Sequence, residues 1–183
     1  MGRFFSDEVE QALTYIHYDL RARRGQEGFR LLEQAVDAGD ADACCLLARC
    51  LYGTGYVWAG HGLPEDLERA DRLMRQSVQQ GSALGALVFL RCRIAQEPLE
   101  EWMPFGDLQE AFDIVLEKAR RGEPFCQMVI GSVYFWRDFL RIQQKSREDF
   151  SSQMDFEFYM RTNIARCEDW YWSAFRNGFA ESG

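Results

Sequence analysis

The stretch FRLLEQAVDAGDADACCLLARCL, residues 29–51, joins two apolar helical segments at Gly39. The same order of apolar segment, glycine and apolar segment recurs around Gly81 and around Gly122. These glycines lie 42 and 41 residues apart, and a fixed period of this size is the signature of a helical repeat array. In such an array one helix pair cannot bury its apolar face alone and must stack on its neighbours.

The period predicts an all-α fold, an α-solenoid of antiparallel helix pairs with about nine helices. The connections are short, and short loops place consecutive helices side by side in opposite directions. Asp7 followed by Glu10 resembles a helix-capping pair, so a helix is expected to precede the first repeat. We expect residues 1–27 to form this N-terminal capping helix and residues 28–183 to form the repeats. The expected units are residues 28–69, 70–110, 111–150 and a degenerate fourth unit, 151–183.

Residues 64–81, PEDLERADRLMRQSVQQG, resemble the Sel-one-like repeat, a relative of the tetratricopeptide repeats. In that pattern a Pro and an Asp open a helix, an Ala follows four residues after the Asp, and a Gly ends the helix. Asp66 and Ala70 have this spacing, and residues 52–57, YGTGYV, resemble the turn that ends the preceding helix of the pattern. The third unit matches more loosely. The resemblance implies an α-solenoid that binds proteins or peptides on its concave face.

The resemblance extends over residues 28–136, and three segments depart from it. Residues 58–63 are inserted after the turn, residues 96–106 replace the next glycine turn, and residues 137–155 are long and polar. Loops on a rigid scaffold often carry function because they vary while the scaffold holds them in place. We therefore expect the functional residues of this protein to lie near these interruptions.

The function that the resemblance implies is that of a non-catalytic adaptor or scaffold. By analogy with the family, the helix that follows each of the three periodic glycines should line the concave face. Arg49 and Arg91 would then pair with acidic or carboxylate groups, and Tyr52 and Met128 would supply apolar contacts. The candidate partner-binding residues are Arg49, Tyr52, Trp58, His61, Arg91, Gln127, Met128 and Trp136.

The loop from residue 52 to residue 64 supports an alternative function. Its glycines permit a turn, but they do not account for Trp58 and His61. These two side chains either pack into the adjacent repeat or belong to a ligand rim. In the second case the protein is a small-ligand-binding protein or an enzyme, with a pocket roofed by the Trp58–His61 loop. Nucleotide binding is not expected, since the Lys-Ser/Thr that completes a phosphate loop is absent.

The charge and hydropathy of the chain limit its partners. The formal net charge is −8 and there is no long basic run, so we expect no nucleic-acid partner. No apolar run reaches the roughly 18 residues of a membrane-spanning helix, so we expect no membrane partner either. The expected partner is a protein or a peptide.

The residue types that carry catalysis or bind metals are sparse. The six cysteines form no CxxC pair and lie among apolar residues, which indicates buried, reduced thiols in a cytoplasmic protein. There are only two histidines, and no HExxH spacing occurs. We therefore expect no metal, no cofactor and no catalytic residue.

Aromatic residues concentrate toward the end of the chain, where 13 of 26 lie between Tyr134 and Phe179. They either seal the last unit or form an exposed anchor for a partner. Gly178 stands at a hinge position, so a further helix should begin at Phe179. We expect either that the chain is part of a longer protein or that its last unit is closed by oligomerisation through the aromatic end. A structural subunit of a larger assembly is a third possible function.

Overall fold

The computed structural model describes residues 3–180, and all the regular structure within this range is helical. This confirms the all-α prediction. Nine α-helices have seven residues or more, and a tenth segment is a single turn. The α-helices are α1 (Asp7–Leu13), α2 (Gly25–Asp37), α3 (Ala41–Tyr52), α4 (Leu67–Gln79), α5 (Ala83–Phe89), α6 (Leu108–Arg120), α7 (Pro124–Phe135), the single turn α8 (Phe139–Ile142), α9 (Gln153–Ile164) and α10 (Arg166–Arg176). A π-helix (Thr14–Tyr18) follows α1, and short 3₁₀ turns lie at Leu20–Ala22, Ala59–His61, Leu99–Glu101 and Arg147–Asp149.

Three helix pairs, α2–α3, α4–α5 and α6–α7, share one kind of junction. The first helix of each pair ends at a glycine in the left-handed region, with φ of 87° at Gly39, 96° at Gly81 and 98° at Gly122. Each glycine N–H bonds to the carbonyl three residues back, and the next N–H bonds to the carbonyl five residues back, as from Asp40 to Ala35 at 3.0 Å. This is the Schellman motif, which satisfies the last carbonyls of a helix. Glycine adopts this backbone without the steric penalty of a Cβ.

The residue after each glycine starts the second helix of the pair. The Asp40 carboxylate accepts the backbone N–H of the third residue beyond it at 3.0 Å, and Ser82 and Glu123 cap their helices in the same way. Asp66 and Asp107, 41 residues apart, cap the first helices of the second and third pairs. Stop and start signals thus recur with the period of the sequence, because each is a local interaction between neighbouring residues.

The second helices of the pairs form the inner row of the fold. α5 contacts both α3 and α7, while α4 packs against α3 and α5, and α6 packs against α5 and α7. This stacking is a solenoid-like arrangement. Small residues allow it: a Cβ on Gly85 would come within 2.3 Å of the Ser77 hydroxyl on the neighbouring helix. No helix among the described residues has both the length and the apolar character needed to cross a membrane.

The chain leaves this regular pattern after α7. α10 returns to pack along α7, so closely that a Cβ on Gly131 would lie 2.7 Å from the ring of Tyr171. α10 ends at Gly178 (φ 111°) with the same two backbone bonds as the earlier junctions. The helix expected from Phe179 onward lies largely outside the described residues. Of its first two residues, Phe179 is buried, and the Ala180 N–H donates to the carbonyl of His17 at 3.0 Å.

The N-terminal segment reaches across to the third helix pair. The Tyr18 hydroxyl donates to Glu123 Oε1 at 2.5 Å and accepts the Phe125 N–H at 3.1 Å. The rings of His17, Phe125 and Phe179 pack together, with centroids 5.3 to 6.0 Å apart. Residues 3–24 therefore do more than cap the first unit, because they join both ends of the array.

Candidate ligand-binding groove

An open groove of about 520 Å³ lies where α3, α7 and α10 meet the loop after α3 and the end of the described chain. Its two sides come from parts of the chain that are far apart in sequence. It exists because the N-terminal segment and Phe179 close the array. The lining residues are Leu20, Arg49, Thr54, Gly55, Tyr56, Val57, Trp58, Met128, Ser132, Tyr171, Phe179 and Ala180.

Arg49 is the one charged residue among the described residues that line the groove, and none of them is acidic. Its Nη2 donates to the carbonyl of Tyr56 at 3.0 Å. The guanidinium also lies 5.4 Å from the ring centroid of Tyr56 and 5.1 Å from that of Phe125, which are cation–π contacts. Its Nε is buried and has no acceptor among residues 3–180. The described contacts therefore hold the guanidinium in place without pairing it with a carboxylate.

The loop after α3 forms one wall of the groove and is held at both sides. Gly53 has φ of 97°, and a Cβ there would lie 2.5 Å from a carboxylate oxygen of Glu65, so only glycine fits this turn. The ring of Tyr56 packs 5.2 Å from that of Tyr52, and its hydroxyl donates to the carbonyl of Arg91 at 3.0 Å. These contacts fix the wall against α3 and the end of α5.

The opposite wall consists of α7 and α10. Ser132 Oγ and the Tyr171 hydroxyl lie 3.1 Å apart, and Met128 is one turn before Ser132 on α7. Phe179 and Tyr171 both line the groove. The groove thus combines hydroxyl groups and aromatic surface with a single cation. This mixture suits a ligand that carries a carboxylate next to apolar groups.

Arg49, Arg91 and Ser132 occupy equivalent positions in the three helix pairs, since they lie 42 and 41 residues apart. Their surroundings differ. Arg91 Nη2 pairs with Asp138 Oδ1 at 2.9 Å, and its guanidinium lies 5.4 Å from the ring of Trp136. Burial raises the pKa of Asp138 to about 7. Of the two arginines expected to meet acidic groups, Arg91 already has a carboxyl partner within the chain, and Arg49 has none among residues 3–180.

Of the residues expected to contact a partner, Arg49, Trp58 and Met128 come together in the groove. Arg91 and Trp136 lie next to each other outside it, beyond Tyr56. Tyr56 and the aromatic residues of the chain end were not assigned to the site from sequence. No local signal marks them, because they reach the groove only when the two ends of the array close.

Tyr52 and Gln127 are buried, which corrects the expectation that they contact a partner. The Tyr52 hydroxyl donates to Asp71 Oδ1 at 2.7 Å. Gln127 donates to the carbonyl of Ala119 at 2.9 Å and accepts from Asn177 at 3.0 Å, so it joins three helices. Both side chains point between stacked helices, because the second helices of the pairs form an inner row that is covered on more than one side.

His61 is also buried and lies outside the groove, which corrects its assignment to a ligand rim. Its Nε2 is 2.7 Å from the carbonyl of Ile16, and a carbonyl can only accept, so Nε2 carries the proton. Gly25 makes room for the ring, since a Cβ at that position would lie 2.1 Å from it. The ring of Trp58 packs edge-on at 5.2 Å. His61 therefore anchors the loop to the N-terminal segment, and only Trp58 faces the groove.

Nucleophilic and metal-binding groups do not form a second site. Across residues 3–180 no three His, Cys, Asp or Glu side chains are grouped so that they could hold a metal ion. The cysteines are free thiols, five of them buried. Burial raises the pKa of Cys44 to about 11 and that of Cys92 to about 12, so these thiols stay protonated at neutral pH.

No protein-family model matches the chain, no curated protein matches it, and no solved structure matches its fold. The relationship to Sel-one-like repeats thus remains a proposal that rests on the residues quoted above.

Proposed function

We propose that this protein is a non-catalytic adaptor that binds an acidic peptide segment in the groove. The observation that carries the proposal is Arg49, whose guanidinium has no carboxyl partner among residues 3–180, in a groove whose described lining residues include no acid. The resemblance to Sel-one-like repeats, which implies protein or peptide binding, supports the same role. We further propose a cytoplasmic location, which the free cysteines support.

A carboxylate is the ligand group that best fits Arg49. Arginine donates two parallel hydrogen bonds to a carboxylate, and such charge-assisted bonds are stronger than bonds between neutral groups. The rings of Tyr56, Tyr171 and Phe179 offer apolar surface beside it. A groove of about 520 Å³ accommodates a few side chains of a peptide.

The test is selection from a random peptide library followed by affinity measurement on the selected peptides. We expect wild-type protein to enrich peptides with an Asp or Glu beside aromatic or aliphatic residues. Arg49→Gln should weaken their binding by about tenfold to a hundredfold, since a hydrogen-bonded charge pair is lost. Arg120→Gln, on the exposed side of α6, removes the same charge far from the groove and should leave binding unchanged.

Enrichment of peptides without acidic residues, or equal binding by the Arg49→Gln and wild-type proteins, would refute the proposal. A small carboxylate ligand is the second candidate, because five of the groove residues come from the loop after α3, as a roofed pocket would require. Thermal stabilisation by small carboxylic acids, lost in Trp58→Ala and in Arg49→Gln, would favour that candidate. His61→Ala does not separate the two, since His61 is outside the groove.

A further inference from the structure

One face of α10 is exposed although it is largely aromatic. Trp172 is 54% exposed and Phe175 is 56% exposed. Glu168 and Arg176 are exposed as well and lie one turn before and one turn after Trp172. Residues at this spacing share one side of a helix. These four residues define the α10 face: two rings at its centre, an acid near its N-terminal end and a base at its C-terminal end.

In two of the three earlier helix pairs the position of Phe175 is fully buried. Phe175 lies three residues before the terminating Gly178, and the residues three before the corresponding glycines are Val36, Val78 and Ala119. Val78 and Ala119 are 0% exposed, and Val36 is half-buried. No second helix follows α10 within residues 3–180. Within residues 3–180 the α10 face is therefore more exposed than the equivalent positions of the earlier helix pairs.

We propose that the α10 face binds the α10 face of a second copy of this chain, with the two helices antiparallel. The argument is charge complementarity. When two copies of α10 cross antiparallel with Trp172 at the two-fold axis, Glu168 of each copy comes opposite Arg176 of the other. The rings of Trp172 and Phe175 then pack at the centre of the contact.

The charges that this arrangement uses are available. Glu168 makes no ion pair with a residue in the described range, and Arg176 reaches only the Ser173 hydroxyl there, at 3.4 Å. A parallel arrangement would place like charges together at both ends, which is unfavourable. The antiparallel arrangement also opposes the two helix dipoles. The sequence of α10 therefore favours a self-complementary contact over one with an arbitrary partner.

The test is a charge-swap series measured by sedimentation equilibrium. Wild-type protein should show a concentration-dependent species of twice the 21.3 kDa of one chain. Arg176→Glu should raise the dissociation constant by at least about tenfold, because it puts two acids opposite each other at both ends. The double variant Glu168→Arg with Arg176→Glu should return the constant to within about threefold of wild type, since the pairs are restored in reverse.

The controls separate dimer contacts from folding. Arg120→Glu makes the same charge change on the exposed side of α6 and should not alter the dissociation constant. Trp172→Ala should weaken the dimer without changing the far-ultraviolet circular dichroism of the monomer. A wild-type protein that stays at 21.3 kDa up to millimolar concentration would overturn the proposal, and so would failure of the double variant to restore association. Neither result depends on whether the groove binds a peptide.

Discussion

Two regions of the molecule are stabilised by different interactions. One region is the helix pairs between residues 25 and 135, and the other is the segments that flank them. In α3, nine of the twelve residues are buried, whereas α9, which has the same length, buries only Asn163. The regular pairs are stabilised by a continuous apolar core and by recurring caps. The flanking segments are stabilised by a few specific contacts, such as those of Tyr18 and Phe179. The groove lies at the boundary, so its shape depends on both kinds of stabilisation.

The surroundings of Arg49 and Arg91 show how this difference changes the charge environment of a side chain. The two arginines are equivalent residues of successive pairs, but Arg91 is hydrogen-bonded to Asp138, which belongs to the segment that flanks the regular pairs. The described flanking residues that line the groove with Arg49 include the aromatic Phe179 and Tyr171 and no acid. The first two helix pairs thus supply similar cations, and the flanking segments decide which of them has a carboxyl partner among residues 3–180.

The largest expected effect is a loss of core packing within the regular pairs. Phe89 is fully buried in α5 and packs 5.7 Å from the ring of Trp102. Phe89→Ala should lower the free energy of unfolding by about 4 kcal/mol, because it leaves a cavity between stacked helices. Phe179→Ala should cost only about 2 kcal/mol, since the chain end can move instead of enclosing a cavity. Urea denaturation of both variants measures the difference; equal losses would mean that the chain end is as tightly packed as the core.

The second prediction concerns the contact between the N-terminal segment and the third helix pair. Tyr18→Phe removes the hydroxyl that donates to Glu123 and accepts from the Phe125 N–H. A buried carboxylate oxygen and a buried N–H are then left unpaired, which should cost about 2 kcal/mol of unfolding free energy. Tyr159→Phe is the matched control, because its hydroxyl bonds to Gln143 at an exposed position and should matter by less than about 1 kcal/mol. If both variants are equally stable, the ends are not held by this contact.

The smallest expected effect is the loss of stability from backbone strain at one of the glycine junctions, where side-chain packing plays no part. A Cβ on Gly81 would meet nothing within 4 Å, but φ there is 96°. Gly81→Ala should therefore cost about 1 kcal/mol purely through backbone strain. Gly55 is also open around its Cα but has no positive φ, so Gly55→Ala should be nearly neutral. Thermal melts of the two variants distinguish them, and a neutral Gly81→Ala would show that the junction relaxes without strain.

The sequence was informative wherever the determining interaction is local. The glycines at 39, 81 and 122 end helices as the period predicts, since a Schellman motif involves only neighbouring residues. At Gly178 the glycine stops α10 as expected, but the packing of Phe179 on His17 was not visible in the sequence. His61 was misassigned for a similar reason, since its partner, the carbonyl of Ile16, is 45 residues away in the chain. A contact between residues so far apart in the chain cannot be predicted from the spacing of neighbouring residues.

The sequence by itself determined the helices, the places where they stop, and the presence of an arginine at one position in two successive pairs. It could do so because helix ends and amphipathic faces depend on residues a few positions apart. Only the tertiary structure decided that Arg49 faces a groove with no acid among its described lining residues, while Arg91 meets Asp138. The reason is that the charge around a guanidinium depends on side chains brought within a few ångströms by closure of the whole array, and here they come from its opposite ends.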